Sequence, residues 1–225
     1  MSSFLRVINI HKSFSQGLRK KLHVLKGVDF NLERGEFLCI VGPSGAGKST
    51  LLHILGGLDE PDKGNVFVDD VDIFKLNRNR RASLRLKKIG FVFQFYHLLG
   101  EFNVLENVMI PLQIARGINR KEAKTRTQTL LEEVGLEDRW RHRPGELSGG
   151  ESQRAAVARA LVLEPEVILC DEPTGNLDSE TGSRLLELLF RLNKEKGKTF
   201  VVVSHDEAIT KRASQVIHIR DGCIY

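Results

Sequence analysis

A run of small residues that ends in lysine and two hydroxyl residues, Gly42–Thr50 (GPSGAGKST), carries the clearest chemistry in this chain. It matches the spacing G-x-x-x-x-G-K-[ST], follows the apolar run Phe37–Val41 and precedes the helical pattern Leu51–Leu55, which is the context that a phosphate-binding loop requires. Glycines let consecutive backbone N–H groups turn inward around an anion, and the following helix points its positive dipole end at the same place. The sequence therefore predicts a nucleoside triphosphate site.

Two side chains of this loop have distinct predicted roles. The Lys48 ammonium would reach the β- and γ-phosphates, and the Ser49 hydroxyl would ligate Mg²⁺. The predicted nucleotide-binding residues of the loop are Gly42, Pro43, Ser44, Gly45, Ala46, Gly47, Lys48, Ser49 and Thr50.

A second element of the same site is an apolar run that ends in two carboxylates, Val167–Glu172 (VILCDE). Such a run predicts a buried parallel strand, and ligands of open α/β sheets lie at the carboxyl ends of their strands. Asp171 is therefore placed to hold Mg²⁺, directly or through water. Glu172, one residue further on, is free to polarise an attacking water.

Strand and helix patterns alternate around these motifs, which predicts an α/β core with a largely parallel sheet. Before the phosphate loop, short separate strands over Val7–Ile10, Leu22–Leu25 and Val28–Phe30 predict an antiparallel patch, with a hairpin turn over Gln16–Lys21. The helix-rich middle of the chain predicts a subdomain inserted into the core, over approximately residues 94–159. The core would then comprise approximately residues 1–93 and 160–225 of a single domain.

Composition limits the kinds of partner. The chain has 225 residues, 41% apolar and 28% charged, with a formal charge of +5, as in an ordinary globular protein. Its densest basic run, Arg78–Lys88, predicts a solvated helix face, and attraction to anionic lipid headgroups is the alternative. No motif that reads RNA or DNA accompanies it, so no nucleic-acid partner is expected.

The cysteines and the hydropathy of the chain indicate the cellular compartment in which we expect the protein. Three widely spaced cysteines, Cys39, Cys170 and Cys223, show no C-x-x-C pairing, so a disulfide framework or a zinc site is not expected and a reducing compartment fits. The first residues lack the apolar region of a signal peptide, and no stretch has the length of a membrane span. We therefore expect a cytoplasmic protein that reaches a membrane through partners.

A glycine pair within Leu147–Arg154 (LSGGESQR) narrows the interpretation to one family, because this run resembles the signature motif of ABC-type ATPases. The resemblance covers essentially the whole chain. The motifs follow one another in the order of that family: the phosphate loop, Gln94, the signature, Asp171 and Glu172, Asp178, and His205.

The resemblance implies the fold of an ABC-type nucleotide-binding domain and an activity, ATP hydrolysis with Mg²⁺. In that family the signature, here Ser148, Gly149 and Gly150, clamps the γ-phosphate of the ATP that the other subunit's phosphate loop holds. The N-terminal dipole of the following helix adds to this clamp. Two ATP molecules would thus lie in a head-to-tail dimer of this chain, and a lone copy would be a poor ATPase.

Further positions carry over one at a time. Phe14 matches the aromatic residue that stacks on adenine, where the family more often has tyrosine, and core packing of this ring is the alternative. Gln94 matches the glutamine that touches Mg²⁺ and senses the γ-phosphate, and Asp178 the aspartate that communicates across the dimer. His205 matches the histidine that contacts the γ-phosphate. The resemblance thus implies Glu172, His205 and Gln94 as the catalytic set, and Ser49, Gln94 and Asp171 as the metal ligands.

The stretch after Gln94, Phe95–Leu99 and Phe102–Val108, is rich in aromatic and aliphatic residues. It predicts a partner surface, with core packing as the explanation for some of these residues. With His53–Asp59, His142–Pro144 and Pro173–Asp178, it resembles the lipoprotein-releasing ATPases of the family. That resemblance implies two transmembrane partner subunits and a peripheral location on the cytoplasmic face of the inner membrane. The macrolide-exporter and cell-division ATPases share much of the pattern, so these two branches of the family remain alternatives. A P-loop kinase or switch that acts alone is the alternative of another class.

Overall fold

The computed structural model describes residues 3–16, 20–115 and 117–225. Its strands are β1 (Leu5–Gln16), β2 (Lys20–Leu32), β3 (Phe37–Val41), β4 (Lys63–Val68), β5 (Val71–Asp72), β6 (Ile89–Val92), β7 (Val167–Asp171), β8 (Thr199–Val203), β9 (Gln215–Arg220) and β10 (Cys223–Ile224). Its α-helices are α1 (Lys48–Leu55), α2 (Arg78–Lys88), α3 (Val104–Ile114), α4 (Arg120–Glu133), α5 (Gly149–Leu161), α6 (Ser179–Lys196) and α7 (Glu207–Thr210), with a 3₁₀ turn at Pro144–Glu146.

A six-stranded sheet in the order β10-β9-β3-β8-β7-β6 forms the centre of the molecule. All its neighbouring pairs from β9 to β6 are parallel, and β10 adds an antiparallel edge. Ile40 of β3 and Asp171 of β7 both pair with Val203 of β8, so these three strands end side by side. Ile217 of β9 pairs with Ile40 on the other side of β3. The predicted α/β core with a parallel sheet is confirmed. Its topology brings the loops that carry chemistry to one edge.

The antiparallel patch is a four-stranded sheet in the order β2-β1-β4-β5. The prediction of separate strands over Leu22–Leu25 and Val28–Phe30 is wrong, because both belong to β2. A bulge accounts for the gap: Ile10 pairs with Val28 and His11 with Lys26, so Gly27 lies between with a φ of 81°. The hairpin turn predicted over Gln16–Lys21 centres on residues 17–19, which lie outside the described residues.

Apolar residues form two buried clusters. One includes Leu38, Ile40 and α1 and extends to the antiparallel sheet, and the other includes Cys39, Cys170 and the helices α3, α5 and α6. Alternate residues of β3 and β7 thus point to opposite clusters, as in a strand buried on both faces. The proposed division at residue 159 lies inside α5, which continues to Leu161.

The basic helix α2 has no buried residue, which confirms the solvated face that its sequence predicts. Two of its cations pair with exposed carboxylates outside the helix: Arg81 with Glu60, and Lys88 with Asp69 at 2.5 Å. Cys39 and Cys170 are buried in β3 and β7, and burial raises the pKa of Cys39 to about 12. Within the residues that the structure describes, no helix is long and apolar enough to cross a membrane.

The residue before α1, Gly47, must be glycine for two reasons: its backbone is left-handed, and there is no space for a side chain. Its φ is 98°, and a Cβ built on it would lie 2.8 Å from the Val24 carbonyl oxygen. We expect Gly47→Ala to lower the free energy of unfolding by about 2 kcal/mol or more, from strain plus overlap. Gly45→Ala is the matched control, because Gly45 has a φ of 79° but no atom within 4 Å of its added Cβ. Urea unfolding of both variants separates the two costs, and equal losses would contradict the overlap.

Candidate functional site

A cavity of about 790 Å³ lies at the carboxyl edge of the parallel sheet. Its walls come from the loops after β3, β6, β7 and β8 and from the antiparallel sheet. The lining residues are Phe14, Val24, Gly42, Pro43, Ser44, Gly45, Gly47, Lys48, Ser49, Thr50, Gln94, Asp171, Glu172, Gly175, Val203 and His205. Most of the residues predicted for a nucleotide site thus line a single cavity, although they are far apart in sequence. Ala46 is buried beneath the loop.

The phosphate loop packs against β9 and is fixed by hydrogen bonds from its own Lys48. A Cβ built on Gly42 would lie 2.1 Å from the Ile219 carbonyl oxygen, so the loop packs directly on β9. Lys48 Nζ donates hydrogen bonds to the carbonyls of Gly42 (2.8 Å) and Pro43 (3.0 Å). The ammonium is thereby held at the loop, beside the N-terminus of α1, where the helix dipole favours an anion.

The hydroxyl of Ser49 and the carboxylate of Asp171 meet across the cavity floor. Ser49 Oγ donates a hydrogen bond to Asp171 Oδ1 at 3.1 Å, and Gln94 lines the same cavity. Hydroxyl, carboxylate and amide oxygens are ligands that suit Mg²⁺, which also keeps water and substrate phosphate in its coordination shell. The predicted donor set therefore fits this cation.

Glu172 and His205 approach each other at the cavity wall. Glu172 Oε2 lies 3.0 Å from His205 Nδ1, and the glutamate side chain is 19% exposed. No donor among the described residues is aligned for a hydrogen bond with this buried oxygen. Glu172 also has a φ of 44°, while its N–H donates to the Val203 carbonyl at 2.9 Å. Strained backbone of this kind is concentrated at functional sites.

Phe14 lines the cavity and is 43% exposed. Core packing, the alternative to a role in binding, does not account for such a ring. Lys12 Nζ lies 5.1 Å from the ring centroid, and this cation is anchored to Asp59 at 2.6 Å. The exposed part of the ring can stack on a planar group.

The signature residues and Asp178 do not line the cavity. Ser148 caps α5 by accepting a hydrogen bond from Glu151 N, and Ser148 and Gly149 are exposed. Asp178 caps α6 by accepting one from Thr181 N at 2.9 Å, which lowers the pKa of that carboxyl. Gly150 packs on α6, because an added Cβ would lie 2.2 Å from Thr181 Cγ2. The structure therefore holds two adjacent helix N-termini, facing solvent, apart from the cavity.

Several residues that the sequence analysis did not single out support the site. Val24, Gly175 and Val203 line the cavity, and only Gly175 has a local signal, in the turn-forming run after Glu172. Gln153 is fully buried and donates a hydrogen bond from Nε2 to the Pro173 carbonyl at 2.8 Å. It thus joins α5 to the turn beyond β7. Its place in the run Leu147–Arg154 is the signal that could have found it.

The contribution of Glu151, in the first turn of α5, to the stability of the protein depends on pH. Hydrogen bonds from the backbone and hydroxyl of Ser148, and from Arg139 at 2.8 Å, lower the pKa of Glu151 to about 2. Because its folded pKa lies below its ordinary value of 4.5, its contribution to stability is complete above pH 4.5 and is lost as the pH falls towards 2. We expect the difference in Tm between wild type and Glu151→Gln to shrink over that interval. A difference that is constant with pH would contradict this assignment.

Comparisons with known proteins agree with this geometry. Residues 25–175 match the family model described as ABC transporter. Two relatives named lipoprotein-releasing system ATP-binding protein LolD are 50% identical, from Syntrophus aciditrophicus, and 51% identical, from Porphyromonas gingivalis; the alignments cover 97% and 96% of both chains. The solved dimeric structure of the ATP-binding cassette MJ0796 in a post-hydrolysis state, bound to ADP and Pi, superposes with a TM-score of 0.91. It is 41% identical over 98% of this chain and 96% of that chain.

Proposed function

The chain belongs to the ABC transporter family of ATP-binding proteins, and from that membership we propose that it drives release of lipoproteins from the inner membrane. It is an ABC ATPase, and such subunits act on a partner in the membrane. About half of all aligned residues are identical to those of proteins named for lipoprotein release, over nearly the full length of both chains. That identity favours the lipoprotein-releasing branch over the macrolide-exporter and cell-division branches.

We propose that two copies enclose two ATP molecules head to tail. The observation that carries this proposal is the separation of the predicted residues: the cavity holds the phosphate loop, Asp171 and Glu172, whereas Ser148 and Asp178 face solvent elsewhere. A phosphate clamp that points away from its own cavity can serve the cavity of a second copy. The solved relative described above is a dimer.

Within each cavity the residues divide the work. Phe14 stacks on the base, Lys48 and the loop N–H groups hold the phosphates, and the partner copy's signature completes the γ-phosphate site. Ser49, Gln94 and Asp171 would hold Mg²⁺, which when bound neutralises developing charge on the phosphates. Glu172 accepts a proton from the attacking water, and His205, 3.0 Å away, orients that water against the γ-phosphate. Loss of the γ-phosphate then lets the copies separate.

We propose that the membrane subunits, which would resemble LolC and LolE, dock beside Gln94 and hold the chain at the cytoplasmic face of the inner membrane. A groove of about 980 Å³ lies between α2 and α3 and is lined largely by apolar residues. Ile114, which lines the groove, is 61% exposed, and Phe95 and Leu99, in the segment after Gln94, are 66% and 45% exposed. Such a concentration of exposed apolar residues is typical of a protein interface. Closure of the ATP-bound dimer would press two membrane subunits together.

The ATPase rate of the isolated chain is expected to rise more steeply than linearly with protein concentration, because each cavity needs the signature of a second copy. The measurement is phosphate release at saturating ATP over a dilution series. Ser148→Ala, which removes a signature hydroxyl but leaves the cavity intact, is expected to lower the rate at every concentration. A strictly linear dependence with full activity in dilute monomer would contradict the shared sites.

The proposed role in lipoprotein release is tested by capture followed by reconstitution. Tagged Glu172→Gln is trapped with ATP in its native membrane, and copurifying proteins are identified. Two different but related membrane subunits with large periplasmic domains would support the proposal, whereas one kind of subunit would favour an exporter or cell-division role. The captured subunits are then reconstituted with wild-type chain and lipoprotein. ATP turnover without lipoprotein release would refute the proposed function for that partner.

A further inference from the structure

Arg159, in the second half of α5, grips the backbone of the segment that follows Gln94. Its Nη2 donates a hydrogen bond to the Tyr96 carbonyl at 2.8 Å, and its Nη1 donates one to the His97 carbonyl at 2.6 Å. The rigid guanidinium fork thus engages two consecutive carbonyls, a geometry that a lysine ammonium cannot reproduce. Arg159 does not line the nucleotide cavity.

The gripped segment, residues 94–99, has no helix or strand of its own and lies between β6 and α3. It begins with Gln94 in the nucleotide cavity and continues into the exposed Phe95 and Leu99. His97 adopts a φ of 48°, which is uncommon for a residue with a side chain. Such a segment needs contacts from outside to fix its conformation.

A second contact joins residues 94–99 to the other end of α5. A Cβ built on Gly149 would lie 2.9 Å from the Tyr96 hydroxyl oxygen, so the Tyr96 ring reaches the first turn of the helix that bears the signature. Gly149 and Arg159 are ten residues apart, or about 15 Å along a helix. The segment therefore contacts both ends of one helix, by hydrogen bonds at Arg159 and by packing at Gly149.

We propose that Arg159 is a positioning residue that couples the membrane-facing segment 94–99 to the signature at the start of α5. This inference rests on the proposed docking of membrane subunits beside Gln94. A displacement of residues 94–99 by a membrane subunit moves α5 as a unit through the guanidinium fork, and with it the exposed Ser148 and Gly149. In the reverse direction, engagement of the signature by ATP on a second copy shifts the segment against the membrane subunit.

The test compares Arg159→Ala and Arg159→Lys with wild type in the assembled complex with membrane subunits. The measured quantity is the ratio of ATPase kcat with membrane subunits to kcat without them. We expect Arg159→Ala to reduce this ratio about fivefold or more, the lower end of allosteric couplings, and to leave KM for ATP within about twofold. Arg159→Lys should fall between, because it retains the charge but offers no fork. Arg184→Ala, at an exposed ion pair with Glu180 on α6, is the matched control and should leave the ratio unchanged.

Amide hydrogen exchange provides a readout in the isolated chain, without any membrane subunit. In the Glu172→Gln background, ATP is expected to change the exchange of residues 95–99 when Arg159 is present, and to leave it unchanged in the double variant that also carries Arg159→Ala. A stimulation ratio and an exchange response equal to wild type would overturn the inference. The inference would also be overturned if kcat without membrane subunits and kcat with them fell by the same factor while the Tm was lowered. That result would indicate a merely structural role for Arg159. If wild type itself is not stimulated by membrane subunits, the proposed function fails, and the exchange result still decides the role of Arg159.

Discussion

Glu172→Gln is expected to bind ATP with nearly unchanged affinity and to lose turnover by about a hundredfold or more, the usual cost of removing a general base. The amide has the size of the carboxylate but cannot accept the proton of the attacking water. The side chain lines the nucleotide cavity, and one of its oxygens lies 3.0 Å from His205 Nδ1. Because ATP is not consumed, the ATP-bound dimer should accumulate.

Three measurements on one preparation decide this prediction: ATP affinity by titration, phosphate release, and the oligomeric state in ATP by size-exclusion chromatography. Glu195→Gln, an exposed glutamate of α6, is the control and should behave as wild type in all three. Residual turnover close to wild type would remove Glu172 from the role of base. A variant that binds ATP but stays monomeric would mean that the shared site has been misassigned.

Lys48→Ala is expected to weaken nucleotide binding itself, by about a hundredfold. The ammonium is positioned by the carbonyls of Gly42 and Pro43, and hydrogen bonds to charged groups each contribute about 1.5–3 kcal/mol. Loss of one or two of them on the phosphates corresponds to roughly 3 kcal/mol, or a hundredfold in Kd. The Kd for ATP is measured by calorimetry.

Lys75→Ala is the control for charge, because this lysine is 79% exposed and lies outside the cavity. Its Kd should equal that of wild type. A Kd for Lys48→Ala within about threefold of wild type would contradict the assignment of Lys48 to the phosphates. The two variants, Glu172→Gln and Lys48→Ala, should therefore fail at different steps, hydrolysis in the first and binding in the second.

The parts of the site that could be predicted are those in which chemistry and local structure share a short stretch of sequence. The phosphate loop and the pair Asp171 and Glu172 each join an apolar strand to a functional turn, and open α/β sheets place such turns at one edge. The resemblance of Leu147–Arg154 to a signature motif added the family, which the comparison with curated relatives confirms. The roles of single side chains within the site stay predictions.

What could not be predicted depends on contacts between distant residues. The bulge at Gly27, which makes one strand of two apolar runs, is visible only from the pairing of β1 with β2. The Arg159 guanidinium bonds to the carbonyls of Tyr96 and His97, which lie 63 and 62 residues away in sequence. Nothing in the sequence near an arginine of a helix indicates such a bond. The positive φ of Glu172 is not visible in the sequence, since glutamate by itself disfavours it.

The strand that leads into the phosphate loop, β3, pairs with no strand close to it in sequence. Its neighbours are β8 and β9, so Leu38 pairs with Val201 and Gln215, and Gly42 packs on the carbonyl of Ile219. During synthesis on the ribosome, the first motif to emerge is therefore among the last to be built. A nascent chain that ends before residue 215 lacks one partner strand of β3 and leaves that edge of the apolar strand unpaired. Acquisition of ATP binding should mark the end of folding, and stalled chains that end before β9 should be clients of chaperones that recognise apolar segments.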